Sequence, residues 1–335
     1  MDTPPAIEAP LPARGGGVLR AGALLAVAVG AALTALTASA RWFWLGDVAC
    51  HFRWQLGLGG LAAAVLCGVA RMPRLALVAA LVAGLHLVPT ARLYLPVERV
   101  PSEPQLLVGT ANLLWDNPEE DAVRRWIRSQ RPDVLAALEL NPRWLAVLRG
   151  LRDEYPHQLF FPENPESWPH DTWGQGLISR LPLEQVRIHQ TIERFWPVLE
   201  VQLRVGGEPV LLRVVHPPRP GRAWRNAQRD TVLRSVATLP WGRHAVLMGD
   251  LNTSAYAPIF GELLRTSGLR DSRAGFGRQA TFVAELRKHI PGAPVSLSVP
   301  LDHVLVGDGV EVVDRWTSEI PGSDHRGVLA RLSLR

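Results

Sequence analysis

The stretch Val246-Leu247-Met248-Gly249-Asp250-Leu251-Asn252 decides how the chain is read. With Ala245 before it, four apolar residues make a short buried strand, and Gly249 lets the backbone turn at its end. Asp250 and Asn252 then stand two positions apart on the loop beyond. In layered α/β structures chemistry is usually placed at the ends of buried strands. The same residue types also lead ordinary Asx turns, so this stretch alone does not separate a site from a turn.

Other strand ends repeat the pattern. Leu106 to Asn112 is a strand ending in Asn112, and Asp133 to Glu139 is a buried strand ending in Glu139. A carboxylate in an apolar strand is costly unless paired or bound to a cation, although a surface position explains it equally well. Val198–Val205 and Pro209–Val215 flank Gly206-Gly207, a hairpin signal, and the second strand leads to His216. Leu301–Val306 carries Asp302 near its start, and Ser323-Asp324-His325 precedes a last strand, Gly327–Leu334. Asn117-Pro118 and Asn141-Pro142 read as helix starts with an Asn cap. Further helices are expected at Ala223–Thr238 and about Ala257–Ser267. Arg222, Arg225 and Arg229 on the first of these read as a solvated face. The Pro- and Trp-rich loop from Pro162 to Trp173 is a candidate to face substrate.

The first third of the chain is different. Eight of the 36 basic and four of the 31 acidic residues precede position 100, which leaves 28 against 27 after it. The later part therefore lacks the basic surplus usual in proteins that grip long nucleic acid. Apolar runs at about 21–40, 54–70 and 75–91 each approach the length needed to cross a bilayer, with Trp42, Phe43, Trp44 and Trp54 beside them as an interfacial belt. Ala38-Ser39-Ala40 resembles a signal-peptide cleavage site, but two more apolar runs follow directly. The expected organisation is a membrane anchor over 1–99 with three transmembrane helices, then a catalytic domain over 100–335. Arg14 and Arg20, with Arg71 and Arg74 in a short link, place the N-terminus and that link in the cytoplasm and the catalytic domain outside it.

Asn112, Glu139, His216, Asp250, Asn252, Asp302, Asp324 and His325 thus lie at strand ends or on short loops beside them. Carboxylate and amide oxygens suit a hard divalent cation such as Mg²⁺. Both cysteines, Cys50 and Cys67, lie in the first third, which excludes thiolate zinc ligation in the later domain. A Gly-x-Ser-x-Gly elbow and a phosphate-binding Gly-x-x-x-x-Gly-Lys loop are both lacking. What remains is metal-assisted hydrolysis of a phosphoester.

In their order, Val108–Asn112, the strand ending in Glu139, Gly176-Leu177-Ile178-Ser179-Arg180-Leu181-Pro182-Leu183, Gly249–Asn252, Leu301-Asp302-His303 and Ser323-Asp324-His325 resemble the endonuclease/exonuclease/phosphatase superfamily. The resemblance spans most of residues 104–335. It implies an α+β, four-layer α/β/β/α sandwich of the DNase I-like kind, with a Mg²⁺-dependent phosphoesterase site, Mn²⁺ being a possible substitute. It further implies metal-site roles for Asn112, Glu139 and Asp324, with Glu139 a direct ligand. Asp250 would orient or deprotonate the attacking water, and Asn252 would hold the phosphate or nucleophile. His325 would contact the scissile phosphate with Asp302 orienting its ring, and His216 would support the leaving group or phosphate. Leu138 and Leu140 around Glu139, and Pro217-Pro218 after His216, depart from the family's pattern. The anchored arrangement resembles bacterial membrane phosphoesterases linked to teicoplanin-type resistance, which implies a multi-pass protein of the cell membrane. Its partners would then be the lipid bilayer and a phosphorylated lipid or small molecule. A nuclease of the same superfamily is the rival enzyme reading, and an inactive binding or sensing domain the reading from another class.

Overall fold

The computed structural model describes residues 15–100, 102–163, 174–191, 196–285 and 296–335. The loop expected to face substrate falls, from residue 164 to 173, outside the described residues. Four helices come first: α1 (Gly15–Ala38), α2 (Trp44–Cys50), α3 (Arg53–Val69) and α4 (Pro73–Ala91). The chain divides into two compact units, one of Met1–Leu36 with Arg53–Pro89, the other of Thr37–Phe52 with Thr90–Arg335. α2 therefore belongs to the second unit, although it lies between apolar helices in sequence.

In the first unit small residues let α1, α3 and α4 approach closely. Ala23, Val27, Ala63, Cys67 and Ala79 form its interior, and Gly60 lies where a Cβ would press on the Ala83 backbone. Leu25, Val65 and Leu81 point outward and are exposed. Gly16–Ala38 and Pro73–Tyr94 are each long and apolar enough to cross a membrane. α3 reaches that standard only together with α2, from which it bends by 73°. By length and composition two of these helices could cross a membrane, or three if the bent pair makes one span.

The second unit continues with β1 (Gln105–Asn112), α5 (Glu120–Gln130), β2 (Val134–Leu140), α6 (Pro142–Arg149), β3 (His157–Phe161) and β4 (Gly174–Ser179). Next come β5 (Glu184–His189), β6 (Val198–Val205), β7 (Glu208–Val215), α7 (Ala223–Ala237), β8 (Ala245–Asp250) and α8 (Pro258–Ser267). Last are β9 (Arg270–Asp271), β10 (Phe282–Glu285), β11 (Ser296–Val299), β12 (Asp302–Val306), β13 (Val310–Glu319) and β14 (Arg326–Leu334). They build two six-stranded sheets, ordered β13-β14-β1-β2-β4-β3 and β5-β6-β7-β8-β12-β9, and a small β10-β11 pair.

Side-chain alternation explains the layering, because successive residues of a strand face opposite ways. In β1, Leu106 and Val108 join the interior between the sheets, while Leu107 and Ala111 pack under α5 and α6. In β8, Val246 and Met248 meet them from the other sheet, while Ala245 and Leu247 pack under α7 and α8. Both faces of both sheets are thereby buried over their central strands, while the edge strand β5 stays exposed, and each buried Val or Leu contributes roughly 1.5–3 kcal/mol. The result is a four-layer α/β/β/α sandwich of the DNase I-like kind.

Local signals set the boundaries. The Asn141 side chain accepts the Trp144 N–H at 2.9 Å and caps α6. Asn117 does not cap α5: its side chain accepts the Glu119 N–H at 3.0 Å, a local Asx turn, and α5 starts only at Glu120. Gly249 is required where it stands. Its φ of +148° is open to glycine, and a Cβ would overlap the Val215 carbonyl oxygen.

Candidate active site

The polar strand ends of the two sheets meet. Asn112, at the end of β1, donates from Nδ2 to Glu139 Oε1 at 2.9 Å and to Asp250 Oδ2 at 3.2 Å. Its Oδ1 accepts the Leu114 N–H at 3.1 Å, so three bonds fix the amide. Asn112 thus bridges two carboxylates from different sheets.

Glu139 reaches this position through a break in β2. Its φ is +57°, uncommon for a residue with a side chain, and the pairing of β2 with β4 shifts between Leu138 and Leu140. The break puts Leu138 into the inter-sheet core and Leu140 under the helices, although residues two apart would otherwise share a face. Glu139 is freed from the pleat, and its Oε2 accepts the Trp115 N–H at 3.2 Å. Such local strain is commonly held at functional sites.

Asp250 and Asp302 are register partners on β8 and β12, directly opposite each other and buried. Like charges so placed repel. His325 relieves the repulsion: its Nδ1 lies 2.8 Å from Asp302 Oδ2 and its Nε2 3.7 Å from Asp250 Oδ2. His216 adds a second imidazole, with Nε2 3.6 Å from Asp250 Oδ2. Burial disfavours a charged His325, but the Asp302 and Asp250 carboxylates outweigh it and push its pKa up to about 10. For His216 burial is likewise outweighed, by Asp250 and then Glu139, and its pKa rises. Burial works against an ionised Asp250 too. His325, His216 and the Asn252 N–H overcome that and hold the carboxyl well below the usual range.

The Asn252 N–H donates to Asp250 Oδ1 at 2.9 Å, so Asp250-Leu251-Asn252 is an Asx turn and part of the site at once. Asn252 takes a φ of +49° and donates from Nδ2 to the Pro217 carbonyl at 3.0 Å. The prolines after His216 therefore position Asn252. Ser323 fastens the far side: its Oγ donates to the Asn112 carbonyl at 2.8 Å and accepts the His325 N–H at 3.0 Å. Thr281 Oγ1 accepts the Asp302 N–H at 3.0 Å, and the Phe282 ring lies 5.0 Å from that of His325.

One network thus joins Asn112, Glu139, His216, Asp250, Asn252, Asp302 and His325. Glu139, Asp250, Asn252 and His325 open onto a cavity of about 420 Å³, with Asp116 and Asp324 also on its wall. Asp324 is half-buried, and its charge helps to raise His325. Thr281, Phe282, Trp115 and Asp116 carry no signal in the sequence that separates them from loop residues. Arg229, read as solvated, is fully buried, with Nη1 2.8 Å from Asp47 Oδ2 and Nη2 2.6 Å from Asp230 Oδ1.

Asp250, Asp302 and His325 bring ligand atoms within 4.8 Å of one another, a buried group able to hold a metal ion. A protonated His325 has no lone pair to give, so the available donors are carboxylate oxygens. Asp302 Oδ1 is buried and makes no hydrogen bond among the described residues. An all-oxygen set fits a hard divalent cation rather than a soft one.

Residues 109–325 match the endonuclease/exonuclease/phosphatase family. Among solved structures the chain is similar to an endonuclease/exonuclease/phosphatase from Beutenbergia cavernae, with 22% identity, TM-score 0.53, and 69% of this chain and 72% of that one covered. It is similar to TDP2 of D. rerio complexed with a single-strand DNA product, at 17% identity, TM-score 0.52, and coverage of 69% and 100%. Beta toxin from Staphylococcus aureus aligns at 14% identity, TM-score 0.51, and coverage of 67% and 99%. These likenesses concern the fold. No curated protein matches the chain.

NMR titration of metal-free protein tests the electrostatics. The His325 imidazole is expected to stay protonated at pH 8 and to titrate near pH 10, and Asp302→Asn to lower that midpoint. A wild-type midpoint near 6.5 contradicts the assigned pairing.

Proposed function

The chain belongs to the endonuclease/exonuclease/phosphatase family, and from that premise we propose that it is a membrane-anchored, divalent-metal-dependent phosphoesterase. The observation that carries this reading is the network of Glu139, Asp250, Asp302, His216 and His325 beside one cavity, acids and imidazoles interleaved.

Hydrolysis proceeds by in-line attack of water on phosphorus. Glu139 and Asp324, which line the same cavity as Asp250, would hold Mg²⁺ or Mn²⁺, and the ion would neutralise charge on the phosphoryl oxygens. Asn112 orients Glu139 and Asp250 toward that task. Asp250 stays ionised across the physiological range and orients the attacking water as a hydrogen-bond acceptor. Asn252, fixed by Pro217, offers a polar contact to the phosphate or water. His325, kept cationic by Asp302, contacts the scissile phosphate, and His216 supports the leaving oxygen.

The substrate is a phosphomonoester, phosphodiester or pyrophosphate, with a lipid carrier the favoured bearer of it. Balanced charge after residue 100 speaks against long nucleic acid. Apolar cavity residues such as Val48, Phe52, Trp115 and Leu301 speak for an amphiphile. Anchoring raises the local concentration of a bilayer substrate.

The expected topology has three spans with the catalytic domain outside the cytoplasm, and the basic residues Arg14 and Arg20 before the first apolar run and Arg71 and Arg74 in the short link support that orientation.

Purified full chain with Mg²⁺ or Mn²⁺ should hydrolyse lipid phosphates ahead of plasmid DNA, and chelation should stop turnover. Asp250→Asn or His325→Gln should lower turnover by roughly 10³-fold with the melting transition retained. Undiminished turnover in both variants sinks the mechanism, and faster, steeply salt-dependent plasmid degradation reverses the substrate ranking. A reporter active only in the cytoplasm, fused after Arg335, should be silent; a signal refutes the orientation.

A further inference from the structure

The segment between the first two apolar helices is built into the catalytic unit by buried polar bonds. Asp47 Oδ2 on α2 accepts from Arg229 Nη1 at 2.8 Å and from Asn226 Nδ2 at 2.9 Å, both on α7. The same Arg229 nitrogen donates to the Asn252 carbonyl at 3.3 Å, which ties α2 to the loop that carries Asp250 and Asn252. Cys50 is buried in the core under α7 and α8. A loose juxtamembrane linker has no need of a buried ion pair, which is retained here at a desolvation cost.

His51 follows directly. Its Nδ1 accepts the Ser254 N–H at 3.3 Å and lies 2.8 Å from Ser254 Oγ. A backbone N–H only donates, so the neutral ring carries its proton on Nε2. That Nε2 is buried, 3.8 Å from Asp47 Oδ2, and makes no hydrogen bond among the described residues. The imidazole lines the cavity that Glu139, Asp250, Asn252 and His325 share, and Val48 and Phe52 line it beside His51. The proton-bearing nitrogen thus lies beside Asp47 and out of reach of solvent, and what this segment presents to the cavity is chiefly apolar.

We propose that residues 44–52 form the substrate-recognising wall of this site. Val48 and Phe52 hold the first carbons of the alkyl group esterified to the bound phosphate, and His51, fixed by Ser254, keeps that stretch of chain in place. The proposal rests on the phosphoesterase reading and adds a selecting element that lies outside the matched family region, which begins at residue 109. It explains why a short polar-anchored helix interrupts a run of apolar ones.

The test uses full chain in phosphatidylcholine nanodiscs with Mg²⁺, and two non-hydrolysable probes, methylphosphonate and hexylphosphonate, titrated by calorimetry. Wild type should bind hexylphosphonate at least about tenfold tighter, since five further methylenes leave water. A Val48→Ala/Phe52→Ala variant should collapse that preference while its methylphosphonate affinity stays within about twofold. Thermal melts of the variant separate lost binding from lost folding.

Wild type that binds both probes equally, or a Val48→Ala/Phe52→Ala variant that keeps the preference for hexylphosphonate, overturns the proposal even if phosphoesters are hydrolysed. The expected binding pattern in a protein that hydrolyses none of them upholds the wall and overturns the phosphoesterase reading instead.

Discussion

Asp250 and Asp302 face each other across adjacent antiparallel strands, both buried, and the site depends on what keeps them there. Two unpaired carboxylates in such a place would take up protons rather than stay charged. His325 lies between them, 2.8 Å from Asp302 and 3.7 Å from Asp250, and takes the positive charge that the pair requires. Asn112 and His216 meet the same Oδ2 of Asp250 from the other sheet and from the end of β7. The apolar interior of the sandwich ends in a charged, internally compensated layer. Removing one member leaves the others buried and unbalanced, at a cost of several kcal/mol. Structure and chemistry therefore share the same bonds.

Much of this frame is legible in the sequence because it repeats locally. The alternation in β8, the Gly206-Gly207 hairpin between β6 and β7, and the Asn141 cap of α6 each rest on residues within a few positions of one another. Where two uses compete for one residue, the local reading fails. Asn117 folds into a turn, with Nδ2 donating to the Leu113 and Pro321 carbonyls at 2.9 Å, and so leaves the start of α5 to Glu119. Arg229 reads as solvated because its partner Asp47 lies 182 residues away, in a stretch dominated by apolar neighbours. The β2 break at Glu139 leaves no mark either: Leu138-Glu139-Leu140 looks like regular alternation, and only the pairing with β4 shows that the two leucines face opposite layers.

The same limit hides His51. Sequence periodicity assigns residues near 44–52 to the margin between apolar helices, whereas packing assigns them to the catalytic unit. The consequence is an active-site cavity whose polar floor comes from the ends of the sandwich strands and part of whose apolar wall comes from chain flanked by apolar helices. Such a combination suits a phosphate attached to something that prefers lipid to water.

Hydrolysis in ¹⁸O-enriched water tests the central claim most directly. The full chain, given Mg²⁺ and a lipid phosphoester, should place the label in the released phosphate or phosphomonoester, as attack of water on phosphorus requires, and Glu139→Gln should abolish that incorporation. Label found in the alcohol, or unchanged incorporation without Glu139, contradicts the account.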